Sequence, residues 1–429
     1  MVSSKQSIKQ RLLQIAAPAI IENFLQMLVG LVDAFLVAKI SLDAVSGVAL
    51  GTNVIAVFQA IFIALGAASA SFVARSPQKT QRKRAVAQAL KLTLFVSFTL
   101  SLIAICLARP IISLLGGREN VLILGTLYLF LVGGTIFLLA LMTTLGNLLR
   151  IANKPRLPMY VGLLVNGLNV ILSSFFIFIC HFGVAGAAAG TIIARIIGNA
   201  LLYYSLQKTQ LNCPLRTVLK IKIDRQLINL AIPASAERVM MRVGDLIVIV
   251  LIIHFGADVF AGNAIGETIT QFNYMPGFGI ATATVVLTAR SYGRGDKKEV
   301  KAYTHSALII TTLLMYLTSG IIYLVHLPLS MLFTQNKTAL AASAIVALFS
   351  CIASLPNAGT LIYTAAFQGI GNAKLPFYAT AFGMWVIRIL LGLALGYGLG
   401  FGLVGVWLAT TLDNTFRMLF LRWRFNQVI

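Results

Sequence analysis

Apolar runs long enough to form membrane-crossing helices fill the chain, and each is closed by a short connector containing glycine, proline or basic residues. The first run sets the pattern. Between Leu12 and Val37 only Glu22 and Asp33 are charged. At a rise of 1.5 Å per residue this stretch makes roughly 39 Å of helix, enough to cross a bilayer with some tilt. At 100° per residue, Glu22, Gln26, Gly30 and Asp33 fall within about 80° of one another. They form a polar stripe on an otherwise apolar helix, and lipid offers such a stripe no hydrogen-bond partner. The same periodicity predicts twelve helices, over 12–37, 44–74, 86–108, 121–149, 157–180, 184–206, 226–253, 259–289, 304–326, 339–367, 375–396 and 400–423. The N-terminal stretch shows no small-residue cleavage site, so it is read as a retained first span.

Composition agrees with that pattern. Mean hydropathy is +0.90, 59% of residues are hydrophobic and 11% are charged. Soluble domains carry about 25% charge, so the sequence describes an all-α integral membrane protein. The net charge of +22 would suggest nucleic acid in a soluble protein. Here the basic residues gather in alternate connectors, such as RSPQKTQRKR, RIANKPR, QKTQLNCPLRTVLKIKIDR and RSYGRGDKKEVK. This alternation predicts cytoplasmic termini in a multi-pass membrane protein whose partner is lipid and not nucleic acid. A monomer is expected. The four cysteines are scattered, without CxxC spacing, so neither a metal nor a redox centre is indicated, and no cofactor is expected.

The chain also repeats itself. When the second half is laid on the first so that Pro18 meets Pro233, Glu22 meets Glu237, Asp43 meets Asp258, Gly47 meets Gly262 and Gly51 meets Gly266. Ala74-Arg75-Ser76 meets Ala289-Arg290-Ser291 in the same register. A short insertion in the second half then moves the register, so that Leu157-Pro158 meets Leu375-Pro376. One further inserted residue brings Gly183, Gly186 and Thr191 onto Gly402, Gly405 and Thr410. Six helices per repeat is an even number, so both halves enter the membrane with the same orientation. A pseudo-twofold axis along the membrane normal is expected, with a substrate cavity associated with the two lobes. The N-lobe is assigned to residues 1–213 and the C-lobe to 214–429.

Few side chains could carry chemistry. Of twelve acids, Glu22, Asp33, Glu237, Asp245, Glu267 and Asp413 lie in predicted helices. A carboxylate at mid-bilayer costs about 3 kcal/mol, which makes each a candidate for a role, although Asp413 is placed near a helix end and given little weight. Glu237, Met241 and Asp245 share a face, with Arg242 placed for an intrahelical pair with Asp245. Glu267, Gln271 and Tyr274 align ahead of Pro276, which frees a carbonyl and favours a bend. Asn166, Asn169 and Ser173 share one face of the fifth helix, and Thr191 and Arg195 one face of the sixth. Glu22, Gln26, Asn166, Glu237, Asp245, Glu267, Gln271 and Tyr274 are the candidate substrate-cavity residues. Phe272, Met275 and Phe278 offer an adaptable apolar surface. Oxygen ligands of this kind suit a sodium ion, while a desolvated carboxylate suits a proton. There is no phosphate-binding loop, no HExxH helix and no nucleophile–base pair, so an enzyme is not indicated.

GLVDAFLVAKISLDAVSGVAL, MPGFGIATATVVLTARSYGRGD and the GxxGAAxGT-like start of the sixth helix resemble the multidrug and toxic compound extrusion (MATE) family. The closest flavour is its prokaryotic, DNA-damage-inducible-like branch. The resemblance implies secondary antiport, with H⁺ or Na⁺ entering as organic, often cationic, compounds leave by alternating access. It also implies a cation-coupling site at Asp33, Asn169 and Thr191, with Ser173 standing where related members carry an aspartate. That substitution removes a carboxylate from any sodium site and makes proton coupling through Asp33 at least as strong a reading. A lipid-linked oligosaccharide or lipid II flippase is the alternative, kept open by Arg195, Arg238, Arg242 and Arg388.

Overall fold

The computed structural model describes residues 7–76 and 78–429. Twelve helical segments follow one another: α1 Ile8–Ala38, α2 Leu42–Arg75, α3 Lys79–Leu114, α4 119–151, α5 Arg156–Ile179, α6 Gly183–Gln207, α7 Arg225–Ile253, α8 257–293, α9 Lys297–Met331, α10 337–370, α11 Lys374–Gly398 and α12 Gly402–Val428. A short extra helix, Leu215–Lys220, lies in the α6–α7 connector. Among the described residues, seven helices are individually long and apolar enough to cross a bilayer, and α4 and α10 are spans bent by 42° and 55°. The other three have identifiable reasons for falling short. α7 carries Glu237, Arg238, Arg242 and Asp245, α12 carries Asp413 and Arg417, and α8 passes through a 3₁₀ turn, Gln271–Asn273, just ahead of Pro276. Large apolar side chains such as Phe95, 67% exposed, and Leu324, 81% exposed, face outward where lipid would cover them.

The repeat seen in the sequence is built into the packing. A Cβ on Gly47 would lie 2.7 Å from the Gly125 backbone nitrogen of α4, and one on Gly262 would lie 2.2 Å from the Ala339 carbonyl of α10. Each half therefore seats its second helix on its fourth through a small residue. Likewise a Cβ on Gly186 would approach the Phe176 backbone to 2.9 Å, and one on Gly405 the Leu395 backbone to 2.7 Å. In the register that sets Gly186 on Gly405, Phe176 falls on Leu395, so the two contacts are equivalent. Both meet π-helical turns, Phe175–Ile179 in α5 and Ala394–Gly398 in α11. A second π-helical run in α11, Gly383–Leu391, has no counterpart in α5 among the described residues. A single inserted residue is accommodated in a helix as a π-bulge. That run lies between Pro376 and Gly402, where the repeat gains its last extra residue.

The chain divides into two compact units that exchange partway along two helices. One is Ile21–Ser235, and the other joins the described residues up to Ile20 to Ala236–Ile429. The passages at Ile20 and Ser235 are themselves equivalent in the register that sets Pro18 on Pro233. Within the second unit, a Cβ on Gly279 of α8 would sit 2.7 Å from the Ile20 backbone nitrogen, and Arg11 Nη1 donates to Glu299 Oε1 at 3.4 Å. Within the first, Lys91 Nζ and Gln88 Nε2 of α3 donate to the carbonyls of Ile221 and Lys222, at 2.7 and 3.1 Å, holding the connector. The division by repeat at residue 213 and the division by packing thus differ by the N-terminal portions of α1 and α7 and by the connector 214–224.

Candidate functional site

In the unit Ile21–Ser235, three helices deliver the coupling candidates to one place. Asn169 Nδ2 of α5 lies 3.4 Å from Asp33 Oδ2 of α1 and 3.3 Å from Thr191 Oγ1 of α6. Ser173 Oγ donates to Asn169 Oδ1 at 2.9 Å, and Thr191 Oγ1 donates to the Ala187 carbonyl at 3.0 Å. Asn169, Ser173 and Thr191 are buried. The small-residue face of α6 makes this possible, because a Cβ on Gly190 would lie 2.4 Å from Ser173 Oγ and 2.6 Å from its backbone nitrogen. The amide thus turns its N–H groups toward the carboxylate and its oxygen toward Ser173. Arg195, one turn beyond Thr191, lies within electrostatic reach of Asp33 and Tyr128, and its buried Nη1 has no hydrogen-bond acceptor among the described residues. Tyr128 gave no signal in the sequence, since it lies in an ordinary aromatic–aliphatic run.

The polar stripe of α1 separates into two contacts. Glu22 forms an ion pair with Arg150 of α4, whose Nη1 also donates to Asn147 Oδ1 at 3.0 Å. Gln26 is exposed, and Asn166 is half-buried on α5 beside the site face.

The unit containing Ala236–Ile429 holds a different cluster. Arg388 of α11 donates from Nη1 to Asp245 Oδ1 at 3.1 Å and from Nε to Asp413 Oδ2 at 2.9 Å. Arg417, one turn along α12 from Asp413, donates to both carboxylate oxygens at 2.8 Å and to Asn414 Oδ1 at 2.7 Å. Gly383 makes room, since a Cβ there would lie 2.1 Å from Asp413 Oδ1. The pair expected between Asp245 and Arg242 is replaced by the one with Arg388, because the carboxylate turns toward α11 and not along its own helix. Asp413, given little weight as a helix-end residue, is fully buried and accepts from two arginines. Glu237 is buried, accepts from Thr380 Oγ1 at 3.3 Å and leaves Oε2 without a partner among the described residues. Glu267 and Gln271 are exposed on α8, whereas Tyr274 is half-buried and accepts from Asn357 Nδ2 at 3.0 Å. The 3₁₀ turn at 271–273 breaks the straight alignment expected for these three.

A repeated twelve-helix membrane fold with buried charged groups inside its helices is that of a transporter. The chain belongs to the MatE family, whose profile matches residues 18–175 and 233–394. The two matches begin at Pro18 and Pro233, the pair that opens the internal repeat. The "Probable multidrug resistance protein NorM" of Thermotoga maritima is 28% identical over 96% of this chain and 90% of its own length. The "Uncharacterized transporter YisQ" of Bacillus subtilis is 25% identical over 95% of this chain and 92% of its own. Crystal structures of MATE in the bent and straight conformations both superpose with a TM-score of 0.90 at 20% identity. They cover 98% and 99% of this chain and 96% and 97% of their own. The fold is therefore the two-lobed, twelve-helix MATE architecture, in a family of multidrug efflux transporters.

Proposed function

We propose that the chain exports organic, predominantly cationic, compounds from the cell by alternating access, and that protons entering through Asp33 drive the cycle. The observation that carries this reading is the setting of Asp33. Its hydrogen-bond partner among the described residues is a neutral amide, and Asn169 Oδ1, an oxygen a sodium ion would use, accepts from Ser173, which brings no second carboxylate. Hard cations are held by several oxygens at once. A carboxylate facing an amide N–H needs only to gain or lose a proton to change its net charge. Asn169 and Thr191 then orient Asp33, and Ser173 fixes the amide.

A proton on Asp33 is worth different amounts in the inward- and outward-open shapes, and that difference lets a gradient move the equilibrium. One charge crossing 100 mV supplies roughly 2.3 kcal/mol, enough to bias a two-state motion more than tenfold. The basic connectors at residues 75–84, 150–156, 207–225 and 290–301 support cytoplasmic termini in the plasma membrane, and the carrier is taken to be a monomer. Proteoliposomes holding the purified chain and a cationic dye test the coupling ion. An imposed pH gradient at constant sodium is expected to drive dye movement, and a sodium gradient at constant pH is not. Transport driven by sodium alone would overturn proton coupling.

A further inference from the structure

The cluster around Asp413 has one open end. Asp413 accepts three N–H bonds and is fully buried, while Arg388 and Arg417 side chains are 9% and 1% exposed. Asp245 accepts a single bond, from Arg388, and its side chain is 42% exposed. Of the four charged groups, only Asp245 can meet a ligand without dismantling the rest. Arg388 stays paired to Asp413 if it lets Asp245 go, and Asp413 stays paired to Arg417 in any case. Separating Asp245 from Arg388 therefore leaves no buried charged group without a hydrogen-bonded partner, although two guanidinium groups then share the Asp413 carboxylate.

We propose that Asp245 is the carboxylate that receives the organic cation, and that Arg388 is a tethered guanidinium occupying that place until the cation displaces it. This rests on the export of cations proposed above and names the group that recognises them. The surroundings suit a soft, apolar cation. Tyr274 and Glu267 lie within electrostatic reach of Asp245, and the Tyr274 ring stacks on Phe278 with centroids 6.2 Å apart. Aromatic faces attract organic cations, and the attraction is stronger when the cation is desolvated. Position in the repeat agrees with an internal competitor. In the register that sets Gly183 on Gly402, Arg388 occupies the place that Asn169 holds beside Asp33 in the other half.

The test is equilibrium binding of tetraphenylphosphonium to the full-length chain in lipid nanodiscs, without an ion gradient. Asp245→Asn is expected to weaken binding about tenfold, and Arg388→Gln to tighten it by about the same factor, because the competitor is gone. The double variant is expected to bind as weakly as Asp245→Asn. A merely structural pair would make both single variants weaker. Arg388→Gln leaves Asp413 its bonds from Arg417, so a folded protein is expected and is checked by thermal unfolding. If the wild type binds and Asp245→Asn binds equally well, or Arg388→Gln binds more weakly, this assignment is overturned while cation export stands. If the wild type binds no cation, both fall together.

Discussion

Asp33 hydrogen-bonds to a neutral amide, with the Arg195 guanidinium within electrostatic reach, whereas Asp245 hydrogen-bonds to a guanidinium that a second carboxylate also holds. The two acids sit on corresponding helices of a repeated frame, yet in the register that sets Pro18 on Pro233, Asp33 falls on Val248 and Asp245 falls on Gly30. In the later register that sets Gly183 on Gly402, Asn169 falls on Arg388, Ser173 on Gly392 and Thr191 on Thr410. Duplication has kept the backbone contacts, through Gly47 with Gly262 and Gly186 with Gly405, while the polar groups have diverged. One half is left with an acid that a proton can neutralise. The other sets Asp245 and Asp413 against the guanidinium groups of Arg388 and Arg417.

Glu22 and Glu237 show the same divergence at matched positions. Glu22 is paired with Arg150, and Glu237 has a threonine on one oxygen and, among the described residues, nothing on the other. Substitutions can break this contrast or sharpen it. The largest effect is expected for Asp413→Asn, which leaves two buried guanidinium groups short of charge and should cost about 3–5 kcal/mol in thermal or denaturant unfolding. Gly190→Ala drives a methyl group into the Ser173 backbone and should cost about 1–3 kcal/mol while slowing dye efflux. Glu22→Gln should destabilise by about 1–3 kcal/mol because Arg150 loses its ionic partner, and Glu237→Gln by less than about 1 kcal/mol. Equal losses at the two glutamates would erase the distinction between the halves. Ser173→Ala is expected to have a comparably small effect, about 1 kcal/mol of stability. Ser173→Asp is the sharpening variant, since a second carboxylate beside Asn169 should make dye efflux respond to sodium.

Much of the frame was readable in the sequence because membrane helices announce themselves by apolar length and the repeat by glycine and proline. All twelve predicted ranges overlap an observed segment. Asp33, Asn169, Ser173 and Thr191 could be grouped because spacing put Asn169 and Ser173 on one face and the family resemblance put the four together. Spacing offers the Asp413–Arg417 pair, four residues apart, but could not find the cluster of Asp245, Arg388, Asp413 and Arg417. Its partners lie up to 143 residues apart, and the π-helical run Gly383–Leu391 shifts the phase of α11, so a face drawn at 100° per residue misplaces Arg388. The intrahelical pair drawn between Asp245 and Arg242 failed for a related reason, since reach along one helix says nothing of a competing arginine on another. The passages between packing units at Ile20 and Ser235 were equally hidden, because they fall inside continuous helices whose apolar pattern does not change there.

The most direct measurement is proton release from the purified chain in weakly buffered solution when tetraphenylphosphonium is added. Asp33 as the proton carrier predicts release of about one proton per bound cation by the wild type and none by Asp33→Asn, with Asp245→Asn releasing as the wild type does once saturated. Undiminished release from Asp33→Asn at saturation would contradict it and move the carrier to another carboxylate.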